Sequence, residues 1–138
     1  MSLRLEMLQV ARLAPKVLED SAGLVRDFLR GQLAQDGGFA DRTGRSDLYY
    51  AVFGIDGLIA LQAELPVENI RSYARAFGDG EDLDFVHLCC LARVRAAADL
   101  QNEKSCRAIL QRIEQFRSRD GGFHLEPDQL HGSVYACF

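Results

Sequence analysis

The chain has 138 residues, 48% of them hydrophobic and 26% charged, which is the balance of one soluble globular domain with a single core. Its net charge of −4, with no long single-sign run, excludes a generic nucleic-acid-binding face, which would be basic. The longest apolar stretch, Ala51 to Leu65, is broken by Asp56 and Gln62, short of the roughly 18 to 20 apolar residues of a membrane span.

Residues 1 to 20 carry Arg4, Glu6, Arg12, Lys16, Glu19 and Asp20, which leaves no apolar core of the kind a secretory signal needs, so a cytoplasmic location is expected. Leu3 to Leu18 reads as helix punctuated at Pro15. From Val17 to Leu33, the residues Val17, Leu18, Leu24, Val25, Phe28, Leu29 and Leu33 fall at spacings of three and four, with Asp20, Arg26, Asp27 and Arg30 opposite. That pattern predicts a surface helix with one buried stripe. Gln35 to Ser46 reads as a loop in which Gly37 and Gly38 are free to take positive φ and Phe39 packs back. Ser46 or Asp47 can cap the next helix. Leu48 to Leu65 is apolar on nearly every side, through Tyr49, Tyr50, Val52, Phe53, Ile55, Leu58, Ile59 and Leu61, and is expected to be buried on both faces.

Pro66 suits the start of a third, one-sided helix, Val67 to Phe77, which Gly78-Asp79-Gly80 ends. Asp82 to Ala98 is again apolar all round, and Asp82 and Asp84 suit its cap and first turn. Glu103 to Arg117 is one-sided once more. One-sided and all-round helices therefore alternate, as two layers of helices require. After Gly132-Ser133, a helix start, only five residues remain, so the last unit is expected to be incomplete and its open apolar edge to favour self-association.

Two strings recur. Asp36-Gly37-Gly38-Phe39 returns as Asp120-Gly121-Gly122-Phe123, 84 residues on (120 − 36). Tyr50-Ala51-Val52-Phe53 is echoed by Tyr135-Ala136-Cys137-Phe138, 85 residues on (135 − 50). A loop and a following aromatic run that repeat as one unit indicate an array whose units bury their faces against each other. The four cysteines, Cys89, Cys90, Cys106 and Cys137, lie in predicted helices without zinc-type spacing and read as small buried hydrophobes.

A Gly-Gly-Phe loop after a Gln-containing helix, followed by an aromatic-rich helix, resembles the repeat of the α/α-toroid superfamily, which includes protein prenyltransferase β subunits and the squalene and hopene cyclases. Gln32 with Gly37 and Phe39, and Gln115 with Gly121 and Phe123, match the cyclase repeat with Phe in place of Trp. The resemblance covers residues 17 to 138 and implies an all-α fold, a partial α/α toroid of about two and a half helical hairpins. It implies one domain over 1–138.

The prenyltransferase form of the loop runs Gly-Gly, a spacer, Arg, two residues, Lys, then Asp, any residue, Cys, Tyr. Here Gly37-Gly38, Arg42, Arg45, Asp47, Tyr49 and Tyr50 stand against it. The resemblance implies that Arg42 and Arg45, with Tyr50, hold a prenyl diphosphate, and that Tyr49, Phe53, Phe85, Tyr135 and Phe138 line an isoprenoid pocket. Two guanidiniums beside a helix start suit phosphate oxygens physically. Asp47 matches a zinc ligand, but Tyr49 replaces the cysteine ligand and Tyr135 the histidine, so no zinc cofactor is expected. The expected function is binding of an isoprenoid or its diphosphate, with transferase chemistry if the chain is active. The alternative is a non-catalytic repeat module, its zinc site lost, that takes a protein partner.

Overall fold

The structure, a computed structural model, describes residues 3–100 and 102–137; the expected pocket residue Phe138 lies outside them. The chain is mostly helical and divides into two compact units, Met1–Tyr73 and Ala74–Phe138. Among the described residues no helix is long and apolar enough to cross a membrane.

The first unit opens with α1 (Leu3–Ala11), α2 (Ala14–Leu18) and α3 (Ser21–Gly31). Pro15 stands in the first turn of α2, where a missing N–H costs nothing. A hairpin of β1 (Phe39–Ala40) and β2 (Ser46–Asp47) follows, pairing Phe39 with Asp47 and Ala40 with Ser46. It leads directly into α4 (Leu48–Ala60). The Asp47 carboxylate caps α4, accepting from the N–H of Tyr49 at 2.8 Å and of Tyr50 at 3.4 Å. Both α1 and α3 pack on α4. The core is built from Phe39, Leu48, Val52, Ile55, Leu58 and, from α5 (Val67–Arg75), Ile70 and Tyr73.

Two glycines in this unit are sites of close approach. A Cβ on Gly54 would lie 2.2 Å from the Phe39 ring, so the ring occupies a notch in α4. A Cβ on Gly57 would lie 2.8 Å from Leu29 Cδ1, which is where α3 meets α4.

In two places the burial differs from the expectation. Rather than being buried on both faces, α4 leaves Tyr49, Tyr50 and Phe53 on the surface, Phe53 being 57% exposed. The predicted buried stripe of α3 is split: Leu29 reaches α4, while Leu24 and Phe28 are 75% and 64% exposed. Periodicity identifies residues that share a side of a helix, but not what covers that side.

In the second unit, α6 (Phe85–Ala97) is capped by Asp84, which accepts from the His87 N–H at 2.8 Å. Asn102 caps α7 (Glu103–Glu114) through the N–H groups of Lys104 and Ser105. A short α8 (Val134–Cys137) closes the described chain. Here the all-round reading of the helix fits well, since within α6 only Arg93 and Ala96 are exposed. Phe85, Leu88, Leu91 and Val94 are buried, and the Phe85 ring lies 5.1 Å from that of Phe116 and 5.8 Å from that of Phe123. Arg95 donates to Ser105 Oγ and to the Gly78 carbonyl, and Ser105 donates to Asp79, which ties the turn after α5 to α6 and α7.

Candidate functional site

The repeated loop is a repeated hydrogen-bond frame. In the first copy Ala34 N–H donates to Gly38 O (2.8 Å), Gly37 N–H to Ala34 O (3.0 Å) and Ala40 N–H to Gln32 O (2.8 Å). The second copy has Ser118 to Gly122 (3.0 Å), Gly121 to Ser118 (3.1 Å) and His124 to Phe116 (3.0 Å), each 84 residues later. Gly37 and Gly121 take φ of +91° and +90°, and in both copies the Asp carboxylate accepts from the second glycine's N–H. That Asp is an Asx-turn residue, and Asp-Gly-Gly is its sequence signal.

Beyond the frame the copies differ by two residues. Phe39 pairs with Asp47 in the first copy, whereas in the second Phe123 O accepts from Ser133 N–H at 2.8 Å. Ser133 then caps α8 through the Ala136 N–H at 3.0 Å, as Asp47 caps α4. The caps are 86 apart (133 − 47), so the extra residues fall in the hairpin tip, and Tyr135 is the counterpart of Tyr49 rather than of Tyr50. The aromatic letters alone gave 85, because that match slid Tyr135 by one place.

Arg42 and Arg45 lie exposed in the tip of the first hairpin. The tip is organised by Asp41, which sequence reasoning missed: its carboxylate accepts from Thr43 N–H (2.7 Å), Thr43 Oγ1 (2.7 Å) and Arg45 N–H (3.0 Å). The Thr43 hydroxyl, then the Arg45 N–H, hold the Asp41 carboxyl below its usual value, so an anion stands at the base of the tip, bonded to the Arg45 backbone. Arg45 also donates through Nε to Thr43 Oγ1 at 3.1 Å, which fixes the base of its guanidinium.

One helix start further on, the structure brings Tyr49, Tyr50 and Phe53 together. The Tyr49 ring lies 4.9 Å from Phe53 and 6.1 Å from Tyr50, both edge-on. The row lies on the surface. A concave region of this unit, about 320 Å³, is lined by Arg30, Leu33, Phe39, Leu58 and the segment Glu64 to Pro66. Phe85 and Tyr135 belong to the other unit, Phe85 within its core and Tyr135 62% exposed.

The residues that the resemblance sets against zinc ligands do not fit a zinc site. Asp47 Oδ1 is occupied as the cap of α4, and Tyr49 offers an exposed phenol where a thiolate is required. Among the described residues no three His, Cys, Asp or Glu side chains are grouped to hold a metal ion. Of the cysteines, Cys90 is buried as expected, but Cys137 is exposed, its Sγ accepting from Phe123 N–H at 3.2 Å and donating to Phe123 O at 3.6 Å.

Beneath the first loop lies Tyr73, whose ring would touch any Cβ on Gly38 at 2.7 Å. Burial, then the charges of Asp36 and Asp47, push its hydroxyl up, so it stays protonated. In the second loop Asp120 accepts from Ser118 Oγ (2.6 Å), Gly122 N–H (3.2 Å) and Gly132 N–H (3.1 Å), with His131 3.4 Å away. These donors, the Ser118 hydroxyl first, lower its pKa from 3.8 to about 2. A depressed carboxylate pKa contributes stability that is present above the unfolded value and lost as pH falls through the folded one. The second loop is therefore expected to weaken between pH 3.8 and about 2. Carboxyl-carbon NMR titration should place Asp120 near 2 and move it upward in Ser118→Ala; an ordinary midpoint in the intact protein would contradict the bonding described.

Compared with known proteins, the chain matches no family model, no curated protein and no solved structure.

Proposed function

We propose that the chain is a prenyltransferase-like or terpene-cyclase-like α/α-toroid repeat module that binds an isoprenoid or its diphosphate. One observation carries the reading: the hairpin tip with Arg42 and Arg45 runs directly into the helix whose first two turns bear Tyr49, Tyr50 and Phe53. Guanidiniums take phosphate oxygens in charge-assisted pairs, and a short row of aromatic faces offers apolar area to a branched hydrocarbon. Asp41 holds the tip in shape and offsets part of its charge, and Thr43 fixes the base of the Arg45 guanidinium, so that cation is partly pre-organised. No side chain here is assigned a bond-making role, and the proposal is one of binding.

Titration calorimetry with farnesyl diphosphate is expected to show saturable binding that weakens about tenfold or more in Arg42→Ala and in Arg45→Ala, the effect of one lost charge-assisted contact. Farnesol, lacking the diphosphate, should bind more weakly than either. No heat and no rise in melting temperature with the diphosphate would end this reading.

The non-catalytic interaction module is favoured by a different observation, that Tyr49, Tyr50 and Phe53 lie open on the surface instead of enclosing a pocket. Exposed aromatics on a rigid helix are the usual anchors of a protein interface. Under that reading the diphosphate leaves the melting temperature unchanged, and oxidative footprinting of the protein in its native complex protects Tyr49 and Tyr50.

A further inference from the structure

Among the described residues up to Phe28, six large apolar side chains are more than half exposed. Met7 and Val10 of α1, Leu13, Val17 of α2, and Leu24 and Phe28 of α3 are each between 58% and 78% exposed. These exposures do not come from a frayed helix, since α1 and α3 both rest on α4. On α3, Leu29 makes that contact at Gly57, and at 3.6 residues per turn Leu24 and Phe28 lie roughly 100° to 140° round the helix from it. Arg26, Asp27 and Arg30 occupy the opposite flank. So α3 has a core side, a polar flank and an apolar flank, and its apolar flank is uncovered.

The size of this surface suits a particular kind of occupant. A side chain of this class has roughly 150 to 200 Å² of surface when free, so the six leave on the order of 700 Å² in water. Single exposed patches on monomers run to about 300–600 Å², while a stable interface takes about 800 Å² from each partner. The charge allows like to meet like. Residues 1–31 hold five basic side chains (Arg4, Arg12, Lys16, Arg26, Arg30) and four acidic ones (Glu6, Glu19, Asp20, Asp27), a net of +1 in a chain of net −4. The remainder therefore carries −5, and two copies repel least when they join through this segment.

We infer that the outward apolar side chains of α1, α2 and α3 make one surface through which two copies of this chain associate, the same surface on each meeting its twin about a two-fold axis. A self-complementary pairing closes after two copies, which covers the patch without building a fibre. The inference is independent of isoprenoid binding, because none of the residues from Arg42 to Phe53 takes part.

Sedimentation velocity on the full chain from about 1 to about 100 μM tests it. The expected result is a species of twice the 15.4 kDa chain mass. Leu24→Glu and Phe28→Glu should each weaken association by about tenfold or more with the helical circular dichroism unchanged, since both side chains already lie in water. Asp27→Ala, on the polar flank, should leave the dimer intact. If either Glu variant lost helicity, Val17→Glu, at the most exposed of the six side chains, would give the same reading. A wild-type monomer at every concentration, open-ended aggregates, or a dimer indifferent to these substitutions would overturn the inference.

Discussion

Gly37→Ala is expected to destabilise the first unit by more than about 3 kcal/mol, whereas Gly121→Ala, at the matching place in the second loop, costs only about 1–2 kcal/mol. The two glycines share a conformation, φ +91° and +90°, so the left-handed penalty for an L side chain is common to both. Their surroundings are not shared. A Cβ at Gly37 would lie 2.1 Å from the Asn69 carbonyl oxygen and 2.6 Å from its carbon, a backbone clash that only a shift of α5 can relieve, while at Gly121 nothing lies within 4 Å. Urea denaturation of the two variants, followed by helical circular dichroism, separates the conformational cost from the contact cost. Equal losses at the two positions would mean that the first loop is not seated on α5.

Phe39→Ala is expected to cost about 3–5 kcal/mol, the range for emptying a buried aromatic site. Phe39 is 2% exposed, and its ring lies in the notch that Gly54 leaves in α4. The ring joins the hairpin to the helix it introduces, so its loss loosens both. The converse change, Gly54→Ala, puts a methyl group 2.2 Å from the ring and overpacks the same contact by about 1–3 kcal/mol. Because the two changes act on one space, they should not add. The double variant is expected to be more stable than the sum of the single losses by about 1 kcal/mol or more, and strict additivity would show that ring and notch do not touch.

The parts of this molecule that were legible in its sequence are those set by local rules. Asp-Gly-Gly-Phe announced a tight turn twice, Pro15 marked a break in the entry helix, and Asp47 was one of two candidate caps, its carboxylate able to reach two N–H groups ahead of it. The hairpin strands were hidden because two residues each, Phe39–Ala40 and Ser46–Asp47, are too few to show alternation. The candidate site was half visible. Arg42 and Arg45 could be picked out as a pair, but the carboxylate of Asp41 beside them in the chain becomes meaningful only once the tip has folded over it. The outward set of Tyr49, Tyr50 and Phe53 was not legible, since a helix apolar on every side carries no mark of which side its neighbours leave open.

The two-residue difference between the hairpin tips separates what this repeat must keep from what it can vary. The turn and the helix cap keep their bonding in both copies, and all of the change in length is absorbed between Ala40 and Asp47 in one copy and between His124 and Ser133 in the other. The tip therefore behaves as an exchangeable cassette on a fixed chassis. A foreign epitope grafted at Gly44, where an added Cβ meets nothing within 4 Å, should be displayed without disturbing the helices beneath. A lineage built on such a unit can revise what it touches by rewriting six to eight letters, and leave the rest of the fold unedited.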